Sequence, residues 1–234
     1  LAQRHRKDFE DLSPLLSPIV QLLAERRLTT MEQHMWGLAL KALVQLGRTD
    51  DAAKAAVKAL SNEDGFQEPA EAWITLQEVA NTSPSQAWQA IAGTLSFETP
   101  SGYQMILRTF SKQLVGAIPH EVVLDWVGLD PARGVVAAHL CSADQTRLSE
   151  LVRQLIIRFG VESSPSRQLA AQAHTTREVV QGLFSNFYKS QLAHARTWAA
   201  DPDVRVAEWG RARVKEFQRR VEAELAREEY DGRG

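Results

Sequence analysis

The chain is 234 residues long, with 44% hydrophobic residues and a formal net charge of −2 at pH 7. This length and apolar content suffice to bury a core, as one long domain or two short ones. The near-neutral charge argues against a protein dedicated to nucleic acid or to a membrane surface. The single cysteine, Cys141, excludes an intrachain disulfide and a cysteine-based metal site.

The sequence carries no signal of secretion or of membrane insertion. Its longest apolar runs, such as Val135 to Leu140, are far too short to cross a bilayer, and no signal peptide precedes Leu1. We therefore expect a cytoplasmic protein without membrane contact. Because the chain begins with leucine rather than methionine, we also expect a processed product or a piece of a larger protein.

The first hundred residues predict successive helices joined by short polar turns. Pro14 and Pro18 are typical of helix starts, and Gly47 is a good cap for the end of a helix. Asp50 is predicted to cap the alanine-rich helix that follows. The predicted helices are a stretch after Pro14, Met31 to Leu46, Asp51 to Leu60, Glu68 to Val79 and Pro84 to Thr94.

The remaining residues continue the same pattern. Asp130-Pro131 is predicted to open one helix, Gly160 to end another, and residues 161–167 to form the most linker-like stretch. Alternation typical of strands is absent. The sequence therefore predicts an all-α chain, an α-solenoid of antiparallel helix pairs. The predicted helices here are Tyr103 to Val115, His120 to Val127, a short one after Pro131, Gln145 to Phe159, Arg167 to His174, Thr176 to Ala200 and a long one from Asp203.

One segment of the first half, WGLALKALVQLGRTDDAAKAAVKAL from Trp36 to Leu60, resembles a tetratricopeptide repeat. Trp36, Leu43, Ala52 and Ala59 fall where that repeat places its large and small packing residues. The resemblance implies tetratricopeptide-like helix pairs over residues 1–98. This chain departs from the pattern, with Leu40 where the repeat has glycine, Asp64 where it has its closing proline, and Gln89 where a second repeat from Trp73 would need alanine.

The second half is similar to the helical, HEAT-like C-terminal region of large bacterial multidomain proteins. The resemblance lies in the order of motifs: Trp126 before Asp130-Pro131, Phe159-Gly160 at a helix end, and Asp201-Pro202 before Val206 and Trp209. Many of those proteins carry an NTPase or another effector domain upstream, and several act in defence against phage. The resemblance implies a HEAT-like region over 99–234 that is a sensor, docking or autoinhibitory part. Ala207 replaces the arginine usual there.

No pattern of catalytic or ligand-binding residues stands out. A phosphate-binding G-x-x-x-x-G-K-[ST] loop and a G-x-G-x-x-G fingerprint are both absent. His120, Glu121 and Asp125 form the best metal-ligand cluster, but helix capping and solvation explain them better. Cys141 and His139, two residues apart, do not face each other on a helix, and no nucleophile elbow surrounds Ser185. We therefore predict no enzyme activity, no cofactor and no bound metal.

The last helix is the strongest candidate for a binding surface. Apolar residues recur at three- and four-residue steps in a stripe suited to another helix. The predicted partner-binding residues are Trp209, Arg213, Phe217, Arg220 and Val221. The predicted partner is another protein or an upstream effector domain of the same polypeptide, and the helix could also join two copies of the chain. Beyond Phe217 the stripe, including Leu225, is predicted to project past the core.

Two alternatives remain open at this stage. Arg211, Arg213 and Arg220 could contact the phosphates of a nucleic acid, although interleaved glutamates favour a salt-bridged helix face. The tryptophans also allow two roles. At least four of the six are expected in the core, whereas Trp209 lies off the main apolar stripe and could be an exposed anchor for a partner.

Overall fold

The structure is a computed structural model that describes residues 14–26, 28–61, 70–94, 117–141, 150–172 and 184–231. These residues form helices joined by turns, and no strand occurs among them, so the prediction of an all-α chain is confirmed. The chain divides into two compact units, Leu1–Val122 and Val123–Gly234. The division predicted after residue 98 falls outside the described residues.

The first unit contains five described helices. Each helix contacts the next, and α2 and α3 also contact the helix two places further along the chain. The helix α1 lies on α3 as well, because Gln21 Nε2 donates to the Asp51 carbonyl at 2.9 Å, and Glu25, in the turn just after α1, pairs with Lys58. The helices are α1 (14–23), α2 (Thr30–Gln45), α3 (Thr49–Leu60), α4 (Ala70–Thr82) and α5 (Pro84–Thr94).

Local signals explain the ends of these helices. Thr29 and Glu32 form a reciprocal capping box at the start of α2, and Gly47, with a φ of 75°, follows its end as predicted. The predicted cap Asp50 is wrong, because α3 begins at Thr49 and Asp50 lies inside its first turn. There the carboxylate is favoured by the helix dipole and pairs with Lys54 at 2.6 Å.

The core of the first unit combines small and large side chains. Four alanines of α3 are completely buried, so the neighbouring helices can approach closely; they are Ala52, Ala53, Ala55 and Ala56. Trp36 is also buried, and its Nε1 donates to the Val20 carbonyl at 3.0 Å, which ties α2 to α1. Four of the six tryptophans are buried in the chain, as expected from the sequence: Trp36, Trp88, Trp198 and Trp209.

The second unit carries the end of the chain. The last two helices pack extensively against each other, α7 packs on α9, and the last helix also contacts α8. None of the helices in the described parts is long and apolar enough to cross a membrane. The helices are α6 (His120–Val127), which spans the division between the units, α7 (Pro131–Leu140), α8 (Glu150–Phe159), α9 (Ser164–Gln172), α10 (Phe184–Ala199) and α11 (Val204–Asp231).

Several predicted boundaries hold here, and one prediction fails. Asp130 caps α7 with Pro131 at its first position, and Gly160, with a φ of 85°, follows α8. The linker predicted over 161–167 is wrong, because α9 begins inside it at Ser164. The Ser163 hydroxyl accepts the Ser166 amide and thereby caps this helix. The predicted helix Tyr103 to Val115 lies outside the described residues.

Candidate interaction surface on the last helix

The turn before α11 is rigidly hydrogen-bonded. Asp203 caps the helix, since its Oδ1 accepts the Arg205 amide at 2.9 Å, and Asp201 Oδ1 accepts the Asp203 amide at 2.9 Å. The Arg205 guanidinium also bonds the Asp203 carboxylate and lowers the pKa of that carboxyl. These contacts fix the direction in which the last helix leaves the turn.

Two arginines fasten this turn to α8. Arg153 makes a two-pronged pair with Asp201, with Nε and Nη2 each 2.8 Å from a carboxylate oxygen. The hydrogen bond from Arg153 is the main reason that the pKa of Asp201 lies below its ordinary value. Arg205 Nη1 donates to the Ile157 carbonyl at 2.6 Å, near the end of α8 where backbone carbonyls lack helical partners. The start of α11 is therefore anchored at two points.

The first turns of α11 are also packed closely. A Cβ added at Gly210 would lie 2.4 Å from the Ala199 nitrogen and 2.5 Å from the Trp198 carbonyl carbon, so the two helices touch through their backbones. The Trp198 and Trp209 rings are 5.3 Å apart. Trp209 Nε1 donates to the Ser166 carbonyl at 3.3 Å and thereby reaches α9. This end of the last helix belongs to the core.

The structure places three of the five predicted partner-binding residues in the interior: Trp209, Phe217 and Val221. The expectation of an exposed Trp209 anchor is therefore wrong. Its position off the apolar stripe of α11 points it to α10 and α9 rather than to solvent. Phe217 and Val221 use the same stripe, as predicted for helix–helix contact, but the helix they meet belongs to this chain.

The two predicted arginines have different surroundings. Arg213 is mostly covered, pairs with Glu216 at 2.5 Å and stacks its guanidinium over Trp209 at 5.7 Å. Arg220 is more exposed, and its guanidinium lies 5.6 Å from the Tyr188 ring centre and 3.9 Å from Glu216. Of the five residues, Arg220 is the one whose exposure suits a partner.

The last helix consists of two contrasting segments. Buried residues recur along the proximal segment (204–221), whereas none of residues 222–230 in the distal segment (222–231) is buried. The distal segment instead exposes Leu225 and Tyr230. Glu228 Oε1 accepts the Ser185 amide at 3.0 Å, which ties the distal segment to α10, and this bond lowers the pKa of Glu228.

The charge of the last helix also changes sign between the proximal and the distal segment. The proximal segment contains six basic and two acidic residues, while the distal segment contains one basic and five acidic residues. Acidic side chains near a helix C-terminus are unfavourable, because the helix dipole is negative there. The distal segment thus combines exposed apolar side chains with an acidic surface that is destabilising for the isolated helix. A basic partner would relieve this repulsion.

The other candidate sites do not assemble into catalytic geometry. His120 Nε2 lies 3.1 Å from Glu121, but the described residues contain no group of three His, Cys, Asp or Glu placed to hold a metal. Burial raises the pKa of Cys141 to about 12, which removes thiolate character. Ser185 and His194 lie nine residues apart on α10, which separates them by roughly 13 Å along its axis.

Sequence reasoning missed the residues that position the last helix. Arg153 and Asp201 are 48 residues apart, and a pair so distant has no periodic signature. Gly210 was visible as a small residue within an apolar stripe, but its neighbour could not be identified from spacing. By contrast, the change from a basic proximal segment to an acidic distal segment of α11 can be read directly from the sequence.

No protein-family model, curated protein or solved structure matches this chain.

Proposed function

We propose that this chain is a non-catalytic protein-interaction or sensor module that binds a protein partner through the distal segment of its last helix. The single observation that carries the proposal is that α11 continues for ten residues after its last buried side chain, Val221, and exposes Leu225 and Tyr230 there. An apolar stripe that extends past its own core is suited to receive another helix.

The chemistry of the distal segment indicates the kind of partner. Five of its ten residues are acidic, so the complementary surface is basic. Leu225 continues the apolar stripe four residues after Val221, whereas Tyr230, five residues further on, lies about 140° around the helix from Leu225. Tyr230 therefore adds a separate exposed side chain, with a large apolar ring and a polar tip as in many interface anchors. We therefore propose a basic amphipathic helix, from another protein or from an effector domain of the same polypeptide, as the occupant.

The packing of the first unit supports a solenoid as part of the same proposal. In α2 to α5 each helix contacts its successor, and α2 with α4 and α3 with α5 repeat the contact two places on. Antiparallel helix pairs stacked in register produce this order of contacts. Together with the tetratricopeptide-like segment from Trp36, it favours stacked helix pairs, an architecture used mainly for binding.

A photocrosslinking experiment tests the partner. In the source cells, a photoreactive amino acid replaces Leu225 in the distal segment of the natural polypeptide. The matched control carries the same amino acid in place of Arg211, an exposed residue of the proximal segment. We expect a discrete adduct at position 225 that contains a basic helix and is absent at position 211. The proposal fails if position 225 gives no adduct or the same adducts as position 211.

The same experiment addresses the alternatives. An adduct at Arg211 that nuclease treatment removes would favour nucleic-acid binding through the arginines. That alternative has less support, because Arg213 and Arg220 lie beside Glu216, and Arg205 contacts Asp203. An adduct at 225 with twice the mass of the chain would instead indicate a homo-oligomer through the last helix.

The proposal includes a place for the module in a larger protein. The order of motifs in the second half supports the recognition or regulatory part of a cytoplasmic bacterial defence-type protein, with its effector upstream. An immunoblot of source-cell lysate with an antibody to this region tests this part. We expect a band whose mass is far above the 26.1 kDa of this chain. A band of the mass of this chain alone would refute the larger protein without affecting the interaction surface.

A further inference from the structure

The outward side of the proximal segment of α11 carries a row of basic side chains. Arg211, Lys215 and Arg219 are all exposed and follow each other at four-residue steps. Residues four apart lie on the same side of a helix, about 6 Å apart along its axis. The buried Val206 and Phe217 lie on the opposite side. The three cations therefore form one outward row about 12 Å long, which we call the basic stripe.

The six basic residues of the proximal segment differ in their partners. Arg205 pairs with Asp203, and Arg213 and Arg220 both lie beside Glu216. Among the residues that the structure describes, no acidic side chain forms an ion pair with the basic stripe. Three of the six cations are thus neutralised within this chain, and the three that are not form the stripe.

The spacing of the basic stripe is unfavourable for the helix by itself. Like charges four residues apart repel each other, and Lys215 has such a neighbour on either side, Arg211 and Arg219. Its neighbours three residues away are the neutral Ala212 and Gln218, so no carboxylate offsets the repulsion at the centre of the stripe. Negative charge supplied by another molecule would relieve it.

Carboxylates limit the stripe at both ends. Glu208 precedes Arg211 by three residues and Glu222 follows Arg219 by three, and both glutamates are exposed on the same side of α11. A long polyanion such as a nucleic acid would meet like charge beyond the stripe, at Glu222 and along the acidic distal segment. The net charge of −2 also opposes it. A short acidic segment fits between the two glutamates.

We propose that the basic stripe binds a short acidic helix of another protein, with carboxylates at four-residue steps over two or three turns. Such a helix repeats the 6 Å step of the stripe, approximately, with opposite charge. The distal segment of a second copy is a poorer match. It has one pair of acidic residues four apart, Glu224 and Glu228, and Glu228 already accepts the Ser185 amide. The inference does not rest on the partner proposed for the distal segment.

The substitution Lys215→Glu separates binding from folding. The new carboxylate lies four residues from Arg211 and from Arg219, so two repulsions become two attractions. We expect the folding equilibrium constant of the full chain at low salt to rise about threefold or more, while binding of the acidic helix weakens. The matched control is Lys41→Glu, at an exposed lysine of α2 whose neighbours three and four residues away are uncharged. A less stable Lys215→Glu chain would contradict the repulsion within the stripe.

Photocrosslinking in the source cells identifies the occupant. A photoreactive amino acid replaces Gln218, an exposed neutral residue beside the stripe, in the natural polypeptide. We expect a protein adduct whose crosslinked peptide carries acidic residues at four-residue steps. Its yield should fall at least about tenfold when Lys215→Glu is added, because like charges then face each other. The yield should stay the same when Lys41→Glu is added instead.

The crosslinked peptide, once synthesised, measures the interaction directly. Its dissociation constant from the full chain should rise at least about tenfold with Lys215→Glu and remain constant with Lys41→Glu. No adduct at position 218, a peptide without acidic residues, an adduct removed by nuclease, an adduct between two copies of this chain, or binding that Lys215→Glu leaves unchanged would each overturn the proposal. The distal segment is tested separately at position 225, so its proposal stands or falls by itself.

Discussion

The proximal and distal segments belong to one continuous helix, yet they are held in very different ways. The proximal segment is tied to α8 by Arg205, to α9 by Trp209 and to α10 through the close approach at Gly210. The distal segment has a hydrogen bond from Ser185 to Glu228, and its apolar side chains face outward. Burial and backbone contact thus fix the first segment, whereas the second leaves Leu225 and Tyr230 exposed. Regular helical spacing alone does not distinguish a core stripe from a binding stripe.

The largest expected difference between the segments concerns truncation of an apolar side chain. Phe217→Ala removes a completely buried ring and should lower the free energy of unfolding by about 3–5 kcal/mol. Leu225→Ala, two turns further along the same helix, should change it by about 0.5 kcal/mol or less, because Leu225 is exposed. Denaturant unfolding of both variants measures this contrast. Equal losses would mean that the distal segment is packed as tightly as the proximal one.

The next effect is expected where the two helices touch through their backbones. Gly210→Ala should destabilise the chain by up to about 3 kcal/mol, because its Cβ would meet backbone atoms of Trp198 and Ala199 that cannot move aside. Gly93→Ala is the matched control, since a Cβ there meets nothing within 4 Å. That variant should be neutral or stabilise α5 by up to about 1 kcal/mol. A stabilising Gly210→Ala would show that the helices are further apart.

A smaller effect with a pH signature is expected at the Arg153–Asp201 pair. The pKa of Asp201 lies below its unfolded value of about 4, so the pair stabilises the fold fully above that pH. The stabilisation is lost as the pH falls through the folded-state pKa. Asp201→Asn should cost about 1–2 kcal/mol at pH 7 and flatten the fall in thermal stability below pH 4. An unchanged pH profile would contradict the anchoring role of this pair.

Local chemistry made much of the fold predictable. Glycines at the ends of α2 and α8 and the Asp130-Pro131 start of α7 marked helix boundaries, because caps act within a few residues. Asp50 was misassigned because a carboxylate is favoured both at a cap and in the first turn that follows. Such ambiguity shifts a boundary by a residue or two but leaves the helix itself intact.

The candidate surface was less predictable, since it depends on contacts between distant residues. Trp209 and Phe217 have the side chains of interface anchors, and only the positions of α9 and α10 show that this chain buries them itself. The exposed apolar side chains of α1 and α2 were hidden for the opposite reason. Leucines and methionines are typical of a core, and the exposure of Leu22, Met31 and Met35 follows from which sides of α1 and α2 pack against the other helices of the first unit.

Amide hydrogen exchange along α11 tests the contrast between its two segments most directly. In the chain without a partner, we predict slow exchange through about Val221, where burial and the contacts at Gly210 and Arg205 prevent local opening. From Glu222 onward exchange should be faster by at least about a hundredfold, because acidic residues weaken this helix end. Equal protection along the whole helix would contradict the division into a packed proximal segment and an exposed distal segment.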